Sequence, residues 1–157
     1  MSTAVKWFGS EVTKKMRARE YEALNKAGAL LERDIKLSMK KGSYRKYNLI
    51  KPKRTHWSSV PGESPAVDIG RLRASITYRV SDGKGTSPTG KGAQPDDGVK
   101  TPKEGFFGHP TCVVGTNVKY GRYLELGTPR IKPRPFLRPA LERNRDKILK
   151  LFNFKGK

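Results

Sequence analysis

The segment from Val113 to Leu141 reads "VVGTNVKYGRYLELGTPRIKPRPFLRPAL". The positions of its glycines and prolines indicate where its strand and helices begin and end. The β-branched run "TCVVGT" (111–116) predicts a strand. The next ten residues, "NVKYGRYLEL", predict a short helix that ends at Gly127, because glycine readily takes the backbone conformation that closes a helix. The prolines of "PRIKPRPF" then predict a stiff extended arm.

A final amphipathic helix is predicted for "LRPALERNRDKILKLF", since its apolar residues recur at helical spacing. The predicted apolar side contains Leu137, Leu141, Ile148 and Phe152. At the other end of the chain, residues 11–41 predict one long helix with Ser10 as N-cap and Gly42 just beyond its C-terminus. Its apolar or small stripe consists of Val12, Met16, Ala23, Leu24, Ala27, Leu31, Ile35 and Met39.

This first helix would extend about 46 Å at 1.5 Å per residue, which is longer than one small domain covers. We therefore expect part of its stripe to contact another subunit. Residues 42–66 lack helical periodicity and predict a loop. Asp68 is expected to cap a short helix that reaches Ala74, and "SITYRV" (75–80) predicts a second strand.

Residues 82–110 are rich in Gly, Pro and Lys and predict a long flexible loop. The whole pattern predicts a single domain over residues 1–157, of the α+β class. In it, a long N-terminal helix and a C-terminal helix pack on a small, mostly antiparallel sheet, with the flexible loop inserted at about 82–110.

Charge sets the class of partner. The chain has 157 residues with 34 Lys and Arg against 14 Asp and Glu, a formal net charge of +20. Such a field attracts polyanions and repels other copies of the chain. No apolar run approaches the roughly 18 residues that span a bilayer, and the N-terminus has no secretory apolar region, so neither a membrane nor a signal peptide is expected. The single cysteine, Cys112, excludes an internal disulfide.

Three motifs that could carry chemistry are incomplete. Residues 85–92, "GTSPTGKG", match a phosphate-binding loop except at the last position, where Gly92 replaces the Ser or Thr that holds magnesium. His109 and Cys112 are spaced H-x-x-C, but the chain has too few further ligands for a zinc site. Glu125 has no neighbouring acid in the sequence, and no serine has a nucleophile elbow. We expect no enzyme activity, no metal and no cofactor.

A basic stretch near the end of the first helix is the strongest candidate for a polyanion contact. Eight basic residues lie between positions 36 and 54, with Tyr44, Tyr47 and Trp57 interleaved or close by. Phosphates or acidic protein groups could pair with such cations, and both alternatives stay open here. The candidates for contact with DNA or an acidic partner are Lys40, Lys41, Arg45, Lys46, Lys51, Lys53 and Arg54.

Three segments, taken in order, carry a family resemblance. "VDIGRLRASI" (67–76) resembles D-T-G-x-L-R-x-S-I, "VGTNVKYGRYLELGT" (114–128) resembles V-G-[TS]-x-x-x-Y-A-x-Y-x-E-x-G-T, and "RPFLRPAL" (134–141) resembles R-P-F-L-x-P-A. Together they resemble the head–tail joining or tail-completion (neck) proteins of long-tailed bacteriophages of the HK97-like group. Ile69 departs from the usual Thr. Gly121 departs from the usual Ala, and this should weaken the short helix by about 0.5–1 kcal/mol.

The resemblance implies a structural virion protein that forms a homo-oligomeric, six-fold ring at the head–tail neck and completes and attaches the tail. It implies synthesis in the host cytoplasm, contacts with head-connector or head-closure and tail-tube or tail-terminator proteins, and non-specific passage of double-stranded genomic DNA. Glu125 is expected to pair with an Arg in the fold or across the interface. The subunit-interface candidates are Tyr120, Tyr123, Glu125, Arg134, Phe136 and Arg138. The alternative is a free basic nucleic-acid-binding protein.

Overall fold

The computed structural model describes residues 8–40, 59–81 and 109–153. In chain order the elements are α1 (Gly9–Ser38), α2 (Arg71–Ser75), β1 (Thr77–Ser81), β2 (Thr111–Gly115), α3 (Lys119–Leu126) and α4 (Leu137–Phe152). The two strands pair antiparallel, and the two long helices, α1 and α4, pack against each other. This arrangement confirms the predicted α+β class. The undivided domain over 1–157 stays a prediction, and residues 82–108 of the predicted loop lie outside the described residues.

Helix α1 forms where its periodicity predicted it, but both ends differ from the prediction. Its N-cap is Phe8 rather than Ser10, with no side-chain hydrogen bond at the cap. It ends at Ser38 because the backbone of Met39 turns to an extended conformation. The buried Met39 side chain then joins the core, and the Lys40 carbonyl accepts a 2.9 Å hydrogen bond from the Val67 N–H. The predicted closing residue, Gly42, lies outside the described residues.

The sheet packs against the middle of α1. Val80 of β1 is opposite Cys112 of β2, and α1 crosses these strands at the buried Gly28. A Cβ atom at Gly28 would lie 2.7 Å from Tyr78 Cγ and 2.9 Å from Cys112 Sγ. The close crossing therefore requires glycine at this position.

Helix α2 begins later than predicted. Its N-cap is Gly70, which has a left-handed φ of 81°, and Asp68 lies two residues before it. Glycine adopts this backbone conformation without the steric cost that a side chain adds, so the N-cap position falls at Gly70 rather than at Asp68. The short helix then buries Leu72 and Ser75.

Helices α3 and α4 have the predicted positions, and Gly127 ends α3 with a φ of 77°. The predicted apolar side of α4 is wrong at Leu141, which is exposed. The buried positions of α4 are Ala140 and Asn144. Asn144 tolerates burial because its Nδ2 donates to the Ala140 carbonyl at 2.9 Å.

The core is small and draws on all four helices and the residues at their ends. Its buried members are Ile35, Met39, Leu72, Ile76, Val118, Phe136 and Ala140. Phe136 and Ala140 are 0% exposed, so the start of α4 is central to the packing. Whatever fixes the start of α4 therefore influences the whole fold.

Candidate functional site

The three motifs of the sequence meet in space. Ser75, from the first motif, lies 2.5 Å from Thr116 of the second, hydroxyl oxygen to hydroxyl oxygen. Each hydroxyl carries one proton. The Ser75 hydroxyl donates to the Leu72 carbonyl at 2.8 Å, and the Thr116 oxygen accepts the Val118 N–H at 3.1 Å. Thr116 is therefore the donor to Ser75, and one ordered chain of hydrogen bonds joins α2 to the start of α3.

Gly121, the departure from the usual alanine, lies against this chain. A Cβ atom at Gly121 would lie 2.6 Å from Thr116 Cγ2 and 3.3 Å from Leu72 Cδ1. The Thr116 side chain cannot easily turn away, because its hydroxyl has the two hydrogen bonds just described. The glycine therefore permits close packing that offsets part of its cost in helix propensity.

Glu125 links the second motif to the third. Its Oε2 accepts the N–H groups of Phe136 at 2.7 Å and Leu137 at 3.0 Å, and its Oε1 accepts the N–H of Arg138 at 3.0 Å. The first four N–H groups of a helix have no partner within the helix. The fourth residue here is Pro139, which has no N–H. Glu125 and Pro139 together leave no unpaired N–H at the start of α4.

This arrangement corrects the expected role of Glu125. We expected an ion pair with an Arg, whereas the carboxylate caps a helix from eleven residues upstream. A carboxylate at a helix N-terminus also interacts favourably with the helix dipole. One sequence signal was available. The start of α4, "PFLRP", has no Ser, Thr, Asp or Asn at its N-cap, so a cap from elsewhere in the chain was required.

Arg134 fixes the proline arm that leads to α4. Its backbone N–H donates to the Leu124 carbonyl at 2.6 Å, and its Nε donates to the Ser59 carbonyl at 3.1 Å. The Pro133 carbonyl accepts the Gly62 N–H at 3.0 Å. These bonds lie within one subunit, so the contacts of Arg134 in the structure are internal.

The six interface candidates therefore divide into two groups. Phe136 is fully buried in the core, so its predicted role as a surface anchor is wrong. Glu125 and Arg134 are partly buried and bonded inside the subunit, and their interface roles stay predictions. Tyr120 and Tyr123 are exposed on α3. Arg138 is also exposed, and its Nε lies 3.3 Å from the carboxylate of Glu142.

An exposed apolar ridge runs along α3. It contains Tyr120, Tyr123 and Leu126, which we call the α3 ridge, and Leu126 is 68% exposed. Spacings of three residues place these side chains on one side of the helix. The hydrogen bonds of Glu125 and Arg134 join α3, which carries the ridge, to the residues that lead into α4. These partly buried motif residues thus position an exposed surface without being part of it.

A second exposed apolar surface lies at the N-terminal end of α1. Every residue from 10 to 19 is exposed, and Phe8, Val12 and Met16 are each about half exposed. We call residues 8–20 the α1 tip. The same stripe becomes buried from Ala23 onward, so the tip continues the core-facing side of α1 beyond the packing that residues 8–40, 59–81 and 109–153 provide.

Most of the basic candidates lie outside the described residues. Lys40 is exposed just after α1. Lys41, Arg45, Lys46, Lys51, Lys53 and Arg54 lie outside the described residues. Their contact with DNA or an acidic partner stays a prediction.

Metal and membrane chemistry find no support in the described segments. Residues 8–40, 59–81 and 109–153 contain no cluster of three or more His, Cys, Asp or Glu that could hold a metal ion. No helix within these same ranges is long and apolar enough to cross a bilayer. Burial raises the pKa of the Cys112 thiol to about 11, which makes it a poor nucleophile at neutral pH.

The fold and its surfaces define a class of protein. It is a small, strongly basic α+β subunit whose motif residues bond to one another, and two apolar surfaces are exposed among the described residues. Comparison with protein families gives the particular family. The HK97-gp10_like model, described as "Bacteriophage HK97-gp10, putative tail-component", matches residues 4–127. The chain belongs to this family of phage tail components, which confirms the resemblance to HK97-like phage proteins, while the third motif, residues 134–141, lies beyond the matched range. Comparisons with curated proteins and with solved structures returned no match.

Proposed function

We propose that the protein is a structural subunit of a ring at the head–tail junction of a long-tailed phage. The ring completes the tail, helps to attach it to the head, and lets the genome pass through its centre. The observation that supports a ring is the exposed apolar stripe of the α1 tip in a chain of the phage tail-component family. The subunit works by assembly, without a chemical step.

Two different apolar surfaces suit a ring. A closed ring joins subunits head-to-tail, so that one surface of each copy meets a different surface of the next. The α1 tip and the α3 ridge are such a pair, and tyrosines such as those of the α3 ridge are common anchors at interfaces. We expect this ring to have six-fold symmetry.

The size of the tip limits its contribution. Burying a whole apolar side chain stabilises by about 1.5–3 kcal/mol, so three half-exposed side chains supply about 3 kcal/mol. A micromolar complex requires about 8 kcal/mol. The tip therefore cannot hold two subunits together alone, and the ring relies on both surfaces, on ring closure and on neighbouring proteins. These neighbours are the head-connector or head-closure proteins on one side and the tail-tube or tail-terminator proteins on the other.

The charge of the chain fits a channel for DNA. A net charge of +20 would repel subunits from each other unless a polyanion or acidic neighbours offset it. Duplex DNA in the centre of the ring supplies that counter-charge without sequence-specific contacts. The finished ring resides in the virion neck after synthesis in the host cytoplasm.

Sedimentation of the purified full-length protein tests the role of the tip. Met16→Glu places a charge in the stripe and should lower the mass of the assembled species. The matched control is Leu149→Glu on α4, because Met16 is 56% exposed and Leu149 is 55% exposed. Equal assembly by the wild type and Met16→Glu, or equal loss in both variants, would contradict the assigned surface.

The second candidate function is a free basic nucleic-acid-binding protein, which the basic residues around positions 36–54 favour. That function predicts tight binding of the monomer to DNA or RNA that weakens steeply between 50 and 200 mM salt. It also predicts no fixed copy number in purified virions. A constant, low copy number per particle would favour the ring.

A further inference from the structure

A groove separates the C-terminal end of α1 from the segment that leads into α2. Its volume is about 460 Å³. Leu37, Met39 and Val67 give it an apolar lining. Its two walls are tied together, because the Val67 N–H donates to the Lys40 carbonyl at 2.9 Å and the Ser64 hydroxyl donates to Ser38 Oγ at 3.1 Å.

Cations dominate the polar part of the lining. Lys36, Lys40 and Arg73 line the groove, against one acid, Asp68. The Lys36 ammonium is paired with Glu32, whereas Lys40 and Arg73 are exposed. An apolar lining with surrounding cations is complementary to a ligand that carries both an apolar group and carboxylates.

We propose that this groove binds an acidic polypeptide segment of a partner protein, with one apolar side chain inserted between Leu37 and Val67. The carboxylates of the segment pair with Arg73 and Lys40, and guanidinium groups suit carboxylates because they can donate two parallel hydrogen bonds. Duplex DNA fits the groove less well. Its outer face is a row of phosphates, and its bases stay stacked, so it offers no apolar group for the lining.

This binding site depends neither on ring formation nor on DNA passage. The groove lies at the C-terminal end of α1, whereas the α1 tip lies at the other end of a helix that is about 45 Å long at 1.5 Å per residue. Met16→Glu, which tests the ring, should leave binding in the groove unchanged. Failure of one proposal is therefore distinguishable from failure of the other.

The test measures fluorescence anisotropy of a labelled peptide with the full-length protein. The probe is a dodecapeptide of alternating Asp and Glu with one central Phe, and its control has Ser in place of Phe. The Phe peptide is expected to bind about tenfold more tightly, because a buried apolar side chain contributes that much or more. Equal affinity of the two peptides would overturn the proposal.

Two pairs of matched variants locate the site. Arg73→Ala should weaken binding of the Phe peptide about tenfold, since a charged hydrogen bond is lost. Its control, Arg145→Ala on α4, also removes an exposed arginine and should change binding less than about twofold. Leu37→Ser should lower affinity for the Phe peptide by about five- to tenfold. Its control is Leu149→Ser, because Leu37 is 58% and Leu149 55% exposed.

A 20-base-pair duplex completes the test. We expect its binding to be sensitive to salt and unchanged by Leu37→Ser. If Leu37→Ser weakens the duplex as much as the Phe peptide, the occupant is DNA and the proposal is wrong. If the groove variants and their controls lose peptide affinity equally, the peptide is held only by the overall charge, and the proposal is also wrong.

Discussion

Removing the Glu125 carboxylate should strongly destabilise the fold. Glu125→Ala removes three hydrogen bonds to the start of α4. The Phe136 and Leu137 bonds are partly buried, whereas the Arg138 N–H is exposed and can bond to water. A hydrogen bond to a charged group contributes about 1.5–3 kcal/mol.

The two shielded bonds, at the low end of that range, give a loss of about 3 kcal/mol in the free energy of unfolding. This is a large fraction of the roughly 5–15 kcal/mol that stabilises a typical domain. It corresponds to a fall in the melting temperature of about 6–12 °C for a chain of this size. The effect extends to the core, because Phe136, which loses its bond to Glu125, has its side chain buried in the same core cluster as Ala140.

Urea unfolding, followed by circular dichroism, measures the loss. Glu125→Gln keeps one oxygen but turns an amide donor toward the N–H groups, so an intermediate loss of about 1–2 kcal/mol is expected. The control is Glu142→Ala, which removes a carboxylate that is 68% exposed and lies 3.3 Å from Arg138. An exposed pair of this kind contributes less than about 1 kcal/mol. If Glu125→Ala costs no more than Glu142→Ala, the capping role is refuted.

Three further predictions concern two close contacts and the burial of Cys112. Gly121→Ala should lower the free energy of unfolding by about 1–3 kcal/mol through overpacking against Thr116. Adding Thr116→Ser, which removes the clashing methyl group, should recover most of that loss. If the two changes are simply additive in urea unfolding, the contact is refuted. Gly28→Ala should cost at least as much, because its new Cβ meets both Tyr78 and Cys112, and an unchanged unfolding midpoint would show that the crossing is looser. Burial raises the pKa of the Cys112 thiol from 9.0 to about 11, so native protein at pH 8 should react with a thiol reagent about 100-fold more slowly than urea-unfolded protein. Equal labelling rates of native and unfolded protein would contradict the raised pKa. The stability that comes from burying the neutral thiol is complete below pH 9 and is lost as the pH rises through about 11.

The order of helices and strands was predictable because each carries a local signal. Periodicity located α1 and α4, β-branched residues located the strands, and Gly127 ended α3 as expected. The errors at Ser10 and Asp68 share one cause. The sequence alone does not show at which residue the backbone turns into the helix, and the N-cap positions fall at Phe8 and at the left-handed Gly70.

The arrangement of the site was less predictable because it depends on contacts between distant residues. Nothing local in Tyr-x-x-Tyr-x-Glu reveals that Glu125 reaches the start of α4, although the missing cap there was a usable sign. The burial of Phe136 and the exposure of Leu141 likewise follow from how α4 lies on α1. Helical periodicity alone cannot fix that rotation to within one residue.

The head–tail role is tested most directly by deleting the gene from its phage and imaging the lysate by electron microscopy. Our account predicts separate heads and tails, or tails with incomplete ends, and a loss of infectious particles. Wild-type protein supplied from a plasmid should restore joining, and the Met16→Glu variant should not. Normal numbers of joined, infectious particles without the protein would contradict the account.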